Sequence, residues 1–177
     1  QEVFGIIVTE SFISRLFAAI EPHDGLHYYM SVIYNHRQGN LISKLNYIPD
    51  YHIIAVDNGG ELSTKEYNKK LQFTTDDLSE YDALYNKLLI AFAMRDDNEI
   101  AKCAHRSTVR HIKRTGNEFL AKMVEMSLEI DTLGVLATHS GTCGGFLLPS
   151  SASEELLESV STEAAKLGDV FRTKTLR

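Results

Sequence analysis

GVLATHSGTCGGFLL, residues 134–148, is the stretch whose reading decides the fold. GVLA and FLL are apolar runs whose length suits short buried strands and is too short for helices. Between them the sequence predicts a loop with glycines at 141, 144 and 145, hydroxyls at Thr138, Ser140 and Thr142, and one imidazole, His139. Glycine admits positive φ and lets a ligand approach the main chain. Successive N–H groups in such a turn form a concavity for phosphate or another anion. The same letters read equally as a tight connection between two strands. The pattern is not a Walker loop, because G-x-x-x-x-G-K-[ST] is absent and no helix follows.

Working outward from this pair of strands, Ser151 or Ser153 is placed to cap a helix over 154–167, with Gly168 ending it. DVFRTKTL (169–176) then reads as an edge strand. Upstream, Phe119, Leu120, Met123, Val124, Met126 and Ile130 predict a helix over 117–131, preceded by helices over 78–94 and 100–114. A shorter helix is expected to run from a cap at Ser63 or Thr64 to residue 71. YHIIAVD (51–57) reads as a buried strand that ends at Asp57. NHRQGN (35–40) is a hairpin turn joining LHYYMSVIYNH to LISKLNY, whose β-branched and aromatic residues favour strands. Phe12, Ile13, Leu16, Phe17 and Ile20 recur at helical spacing up to Pro22, and the residue before a proline leaves the helical region. Strands interleaved with blocks of helices predict an α+β fold, an antiparallel sheet backed by helices on one face.

Composition narrows the function. The 177 residues are 44% hydrophobic and 24% charged, as in ordinary globular proteins. A net charge of −6 without a basic run argues against nucleic acid as a partner. Cys103 and Cys143 form no disulfide framework, which points to a reducing cytoplasm. No run approaches the ~20 apolar residues that span a bilayer, so no membrane role is expected. The chain opens on Gln1 rather than Met and passes at once into apolar residues, which reads as an interior piece of a longer protein.

Candidate chemistry is sparse. Asp24, in EPHDG between a helix end and a strand, suits a carboxylate that accepts a hydroxyl proton, or a plain turn residue favoured by Gly25. Asp57 ends a strand ahead of Gly59 and Gly60, a rim position that suits substrate binding or a simple turn. The seven histidines make no metal set, and neither H-E-x-x-H nor C-x-x-C occurs. Cys143 has no assignable basic partner and reads as packing.

Four segments, in order, carry a resemblance. THSGTCGGFLL (138–148) resembles the third conserved motif of the GHMP kinases (galactokinase, homoserine kinase, mevalonate kinase, phosphomevalonate kinase). More narrowly it is similar to the A-H-S-G-[TS]-x-x-G-L-x-[LF] form of the L-threonine kinases of cobalamin synthesis. AAIEPHDG (18–25), NHRQG (35–39) and DNGGELSTKEYN (57–68) resemble that branch's E-P-[TS]-D-[GS], D-H-x-x-G and D-x-G-G-x-x-x-T-x-x-[FY]-N segments. Together they cover residues 12–172.

The resemblance implies a kinase that moves the γ-phosphoryl group of ATP, with Mg2+, to the hydroxyl of L-threonine or a similar small molecule. It implies Asp24 as the catalytic carboxylate and His139, Ser140, Gly141, Thr142, Gly144 and Gly145 as the loop at the phosphates and substrate. It also implies a ferredoxin-like C-terminal domain at residues 26–177, entered through the strand hairpin, with 1–25 as the tail of an N-terminal domain. The family's ATP loop, P-x-x-x-G-[LM]-x-S-S, is absent: Pro22, Pro49 and Pro149 are the only prolines, and none begins it. That loop and the family's Mg2+-ligand Glu belong to an N-terminal half upstream, so weak or absent ATP binding is expected of this chain alone. Thr138 stands where the branch has Ala, and His23 where it has Thr or Ser. Another hydroxyl acceptor (homoserine, an amino alcohol or a sugar) and a non-catalytic ligand-binding or assembly subunit remain the alternatives.

Overall fold

The computed structural model describes residues 31–35, 40–59, 74–138 and 141–175. Asp24, Gly60, His139 and Ser140 lie outside the described residues, as do the helices expected near 12–20 and 63–71.

Two strands, β1 (Val32–Asn35) and β2 (Asn40–Lys44), pair antiparallel with Asn35 opposite Asn40, the hairpin expected around NHRQGN. The chain then enters β3 (Tyr51–Asp57), followed by three helices: α1 (Thr75–Met94), α2 (Asp97–Thr115) and α3 (Glu118–Glu129). It returns through β4 (Gly134–Ala137) and β5 (Cys143–Pro149), crosses in α4 (Glu154–Ala164) and ends in β6 (Asp169–Lys174). The four strands from β3 onward form one antiparallel sheet in the order β4-β5-β3-β6. Strand–helix–strand–strand–helix–strand with this order is the ferredoxin-like arrangement, with three helices in place of the first crossover helix. The α+β architecture expected from the sequence is therefore present.

Apolar clusters lie on both faces of the sheet. Side chains alternate along a strand, so Ile54, Val56, Phe146 and Leu148 point to one side. There they meet Leu120 and Met123 of α3 and Leu157, Val160 and Ala164 of α4. The intervening Tyr51, Ile53 and Leu147 point the other way, into Leu88, Ala91 and Phe92 of α1 and Ile100 and Ala101 of α2. The expectation of helices on one face is corrected on this point. Burying a large apolar side chain such as Phe146, fully enclosed here, stabilises by about 1.5–3 kcal/mol, which is why β3 and β5 read as continuous apolar runs.

Helix α2 also closes one edge of the sheet. The Val135 N–H of β4 donates to Nδ1 of His105 at 3.2 Å, and the Thr108 hydroxyl donates to the Val135 carbonyl at 2.9 Å. Backbone groups that a neighbouring strand would take are thus paired with helix side chains, which blocks edge-to-edge association. At Gly134 (φ +147°) a Cβ would lie 2.8 Å from the His105 Cβ, so glycine is what admits α2 this close.

The segment before β3 is pinned to the start of α2. Asp97 accepts from the Tyr47 hydroxyl at 2.7 Å and from the Asp50 backbone N–H at 3.2 Å, and its carbonyl accepts from the Tyr51 hydroxyl. Burial, followed by the nearby Asp97 charge, raises the Tyr51 phenol far above its ordinary pKa, so it serves as a neutral donor.

Candidate functional site

Antiparallel pairing brings the C-terminal end of β3 and of β4 to the same end of the sheet as the starts of β5 and β6. Asp57 lies opposite Cys143 on one side and Asp169 on the other. Residues far apart in sequence thereby share one rim: Asp57 to Gly59, Thr138, Gly141 to Cys143, and Gly168.

The turn between β4 and β5 is tied by its own hydrogen bonds. Thr138 N–H donates to the Cys143 carbonyl at 3.1 Å, and Cys143 N–H donates to the Thr138 hydroxyl oxygen at 3.3 Å. Gly141 N–H donates to the Thr138 carbonyl at 3.1 Å. These three N–H groups are therefore engaged within the loop and do not face an anion in this arrangement. Gly141 has φ +72°, a left-handed conformation that a side chain disfavours. A Cβ there would also lie 2.6 Å from Nδ2 of Asn117 and 3.0 Å from Nε2 of His111.

Gly144 and Gly145 require a correction. They are not in the loop but inside β5, the strand flanked by β3 and β4. A Cβ on Gly144 would lie 2.6 Å from the Met123 Sδ, and one on Gly145 would lie 3.0 Å from the Ile53 Cγ2. Their lack of a side chain makes room for α3 on one face and for Ile53 on the other. Packing thus accounts for both glycines, and their N–H groups belong to the sheet.

Asp57 stands at the rim as expected. Its Oδ1 accepts the Gly59 N–H at 2.9 Å, an Asx turn made possible by the positive φ of Gly59 (+71°). Asn58 N–H donates to the Thr142 carbonyl at 3.1 Å, joining the exit of β3 to the glycine turn. On the other side Gly168 closes against the Asp57 backbone, where a Cβ would lie 2.1 Å from the carbonyl oxygen.

Two further residues adjoin the turn that sequence patterning did not mark, His111 near the end of α2 and Asn117 at the cap of α3. Asn117 Oδ1 accepts the Leu120 N–H at 2.9 Å, and its Nδ2 donates to the Gly141 carbonyl at 2.9 Å. The pair Gly116–Asn117 was a readable signal of a helix boundary. The contact with a loop 24 residues away had no local signature.

Chemically, among the described residues, the rim offers the carboxylates of Asp57 and Asp169, the hydroxyls of Thr138 and Thr142 and a backbone turn of fixed shape. Among the described residues no group of three or more His, Cys, Asp or Glu is arranged to hold a metal ion. No helix among them is long and apolar enough to cross a membrane.

The ferredoxin-like sheet with its inserted helices is shared with small-molecule kinases of known structure. The chain superposes on L. major mevalonate kinase, solved in complex with R-mevalonate, with a TM-score of 0.64 at 14% identity over 84% of this chain and 49% of that one. It superposes on homoserine kinase from Cytophaga hutchinsonii ATCC 33406 with a TM-score of 0.60 at 14% identity, over 91% of this chain and 53% of that one. At this identity the likeness is one of fold. The chain spans about half the length of each of these structures. No protein-family model matches it, and no curated protein does at the sequence level.

Proposed function

We propose that this chain is the C-terminal half of a GHMP-type kinase that transfers the γ-phosphoryl group of ATP to the side-chain hydroxyl of L-threonine. The observation that carries this reading is the rim itself. On a fold shared with mevalonate and homoserine kinases, Gly141 holds a positive φ between β4 and β5, and Thr142 is joined to the exit of β3 by the Asn58–Thr142 bond.

In this reading residues 26–177 are the C-terminal domain and 1–25 the end of an N-terminal domain whose remainder carries the ATP loop and the Mg2+ ligand. The acceptor oxygen bonds to the γ-phosphorus, the bond to the bridging oxygen of ADP breaks, and Asp24 takes the hydroxyl proton. Positioning and electrostatics supply most of the acceleration in such transfers. Because Gly141 and Cys143 spend their N–H groups inside the turn, the loop's contribution at the phosphates falls to His139, Ser140 and Thr142.

The likeness to kinases of other alcohols supports a second reading, the same transfer to homoserine, an amino alcohol or a sugar. A phosphoryl-transfer screen of the longer protein against threonine, serine, homoserine and 1-amino-2-propanol tests both. Phosphothreonine as the preferred product supports the first reading, and a different preferred acceptor replaces it with the second. No transfer to any alcohol, together with an upstream sequence that lacks P-x-x-x-G-[LM]-x-S-S, would leave a non-catalytic binding subunit.

A further inference from the structure

We infer that Asn117 is the positioning residue of the glycine turn, and that its two amide atoms do separate jobs. Oδ1 caps α3 by accepting the Leu120 N–H, while Nδ2 donates to the Gly141 carbonyl, both at 2.9 Å. The orientation of the amide follows from the partners: an N–H requires the oxygen and a carbonyl requires the nitrogen. Asp, Ser and Thr cap helices as well as or nearly as well as Asn, but none of them can donate from a second atom while the first accepts. The cap alone therefore does not explain asparagine here.

The tether acts where the turn is most constrained. Gly141 is buried, holds φ +72° and donates its own N–H to Thr138. Fixing its carbonyl from the start of α3 orients the peptide plane that leads into Thr142, and the Thr142 carbonyl in turn accepts the N–H of Asn58, just past β3. A single side chain thus locks the turn to a helix start that is itself anchored in the core through Leu120 and Met123. The bearing of this tether on catalysis rests on the kinase reading; its bearing on the shape of the turn does not.

Asn117→Asp separates the two jobs, because the carboxylate keeps the cap and sets an acceptor against the Gly141 carbonyl. Asn117→Ala removes both. Amide hydrogen exchange on the whole 177-residue chain reads them independently. In Asn117→Asp, Leu120 should stay protected while Gly141 and Cys143 exchange at least about tenfold faster, the equivalent of one lost hydrogen bond. In Asn117→Ala all three should accelerate. Unchanged exchange at Gly141 and Cys143 in Asn117→Asp would overturn the proposal and leave Asn117 a cap only. In the longer protein, Asn117→Asp should raise KM for ATP or acceptor while the melting temperature holds. If the unmutated protein transfers no phosphoryl group, the kinase reading fails while the exchange result stands or falls by itself.

Discussion

Gly168 and Asp57 touch through their backbones, and a Cβ on Gly168 would stand 2.1 Å from the Asp57 carbonyl oxygen and 2.8 Å from its carbon. Both obstructing atoms belong to the main chain, so relief requires β3 or the start of β6 to move. Gly168→Ala should destabilise by about 1–3 kcal/mol, the usual cost of overpacking. Gly116→Ala is the control: the site has φ +69° and open space around it, so only the left-handed conformation is penalised, by about 1–2 kcal/mol. Urea denaturation measures both losses. Amide exchange at Asn58 and Gly59 should change in Gly168→Ala alone, and a neutral Gly168→Ala would mean that the β3–β6 contact is looser than described.

Gly144→Ala should act on stability rather than on ligand affinity. The new methyl meets the Met123 Sδ at 2.6 Å and the Leu136 carbonyl oxygen at 3.2 Å, so a loss of about 1–3 kcal/mol is expected. Met123→Ala opens space on the same face, and the two changes should couple by about 0.5–3 kcal/mol in a double-mutant cycle. Additive losses would show that the strand yields without the help of Met123.

His105 sets a pH dependence whose sign is fixed by geometry. Its Nδ1 accepts the Val135 N–H and must stay unprotonated to do so. Burial holds its pKa below the ordinary 6.5. Above 6.5 the folded and unfolded chains bind equal numbers of protons at this residue, and the stability is whole. As pH falls from 6.5 through the folded-state value, the unfolded chain takes up a proton that the folded chain resists, and stability is lost. Between about pH 7 and about pH 5 the melting temperature should therefore fall further in wild type than in His105→Gln, which keeps an acceptor and does not titrate. Parallel curves would assign the acid sensitivity to other groups.

Asp57 separates a turn role from a substrate role. Asp57→Asn retains an oxygen for the Gly59 N–H and should leave stability within about 0.5 kcal/mol, as is usual for exposed polar changes. Asp57→Ala should lose about 0.5–1.5 kcal/mol, one hydrogen bond's worth. If Asp57 also contacts the acceptor, Asp57→Asn will raise its KM in the longer protein without a change in melting temperature. An unchanged KM reduces the residue to its turn.

Asp24 carries the sharpest catalytic expectation. In the longer protein, Asp24→Asn should lower kcat by about a hundredfold to ten-thousandfold, the range for a lost acid–base group. A kcat near wild type with a lowered melting temperature would make it a turn residue.

The architecture was legible where one element buries a continuous face. YHIIAVD was readable as β3 to the residue, because every second side chain enters a core. Helix starts were less legible. The first turns of α1 and α2 are polar, and their caps, Thr74 with Asp77 and Asp96 with Glu99, lie before the apolar period begins. Periodicity alone places Asn117 within α3, because a cap has no periodicity of its own. The strand in CGGFLLP reads from sequence only as FLL because adjacent glycines signal a turn locally, while the approach of Met123 to Gly144 and of Ile53 to Gly145 is tertiary. The rim followed the same rule. Asp57 and Gly141 were visible as a strand end and a loop glycine, whereas Asn117, His111 and Gly168 matter only through neighbours brought to them by the fold.

The glycines inside β5 bear on what this motif can be taken to mean. Selection for a folded sheet alone preserves residues 144 and 145, since any side chain there meets Met123 or Ile53. A protein with this sheet and no part in phosphoryl transfer would need them just as much. Within T-H-S-G-T-C-G-G, then, the last two letters record packing.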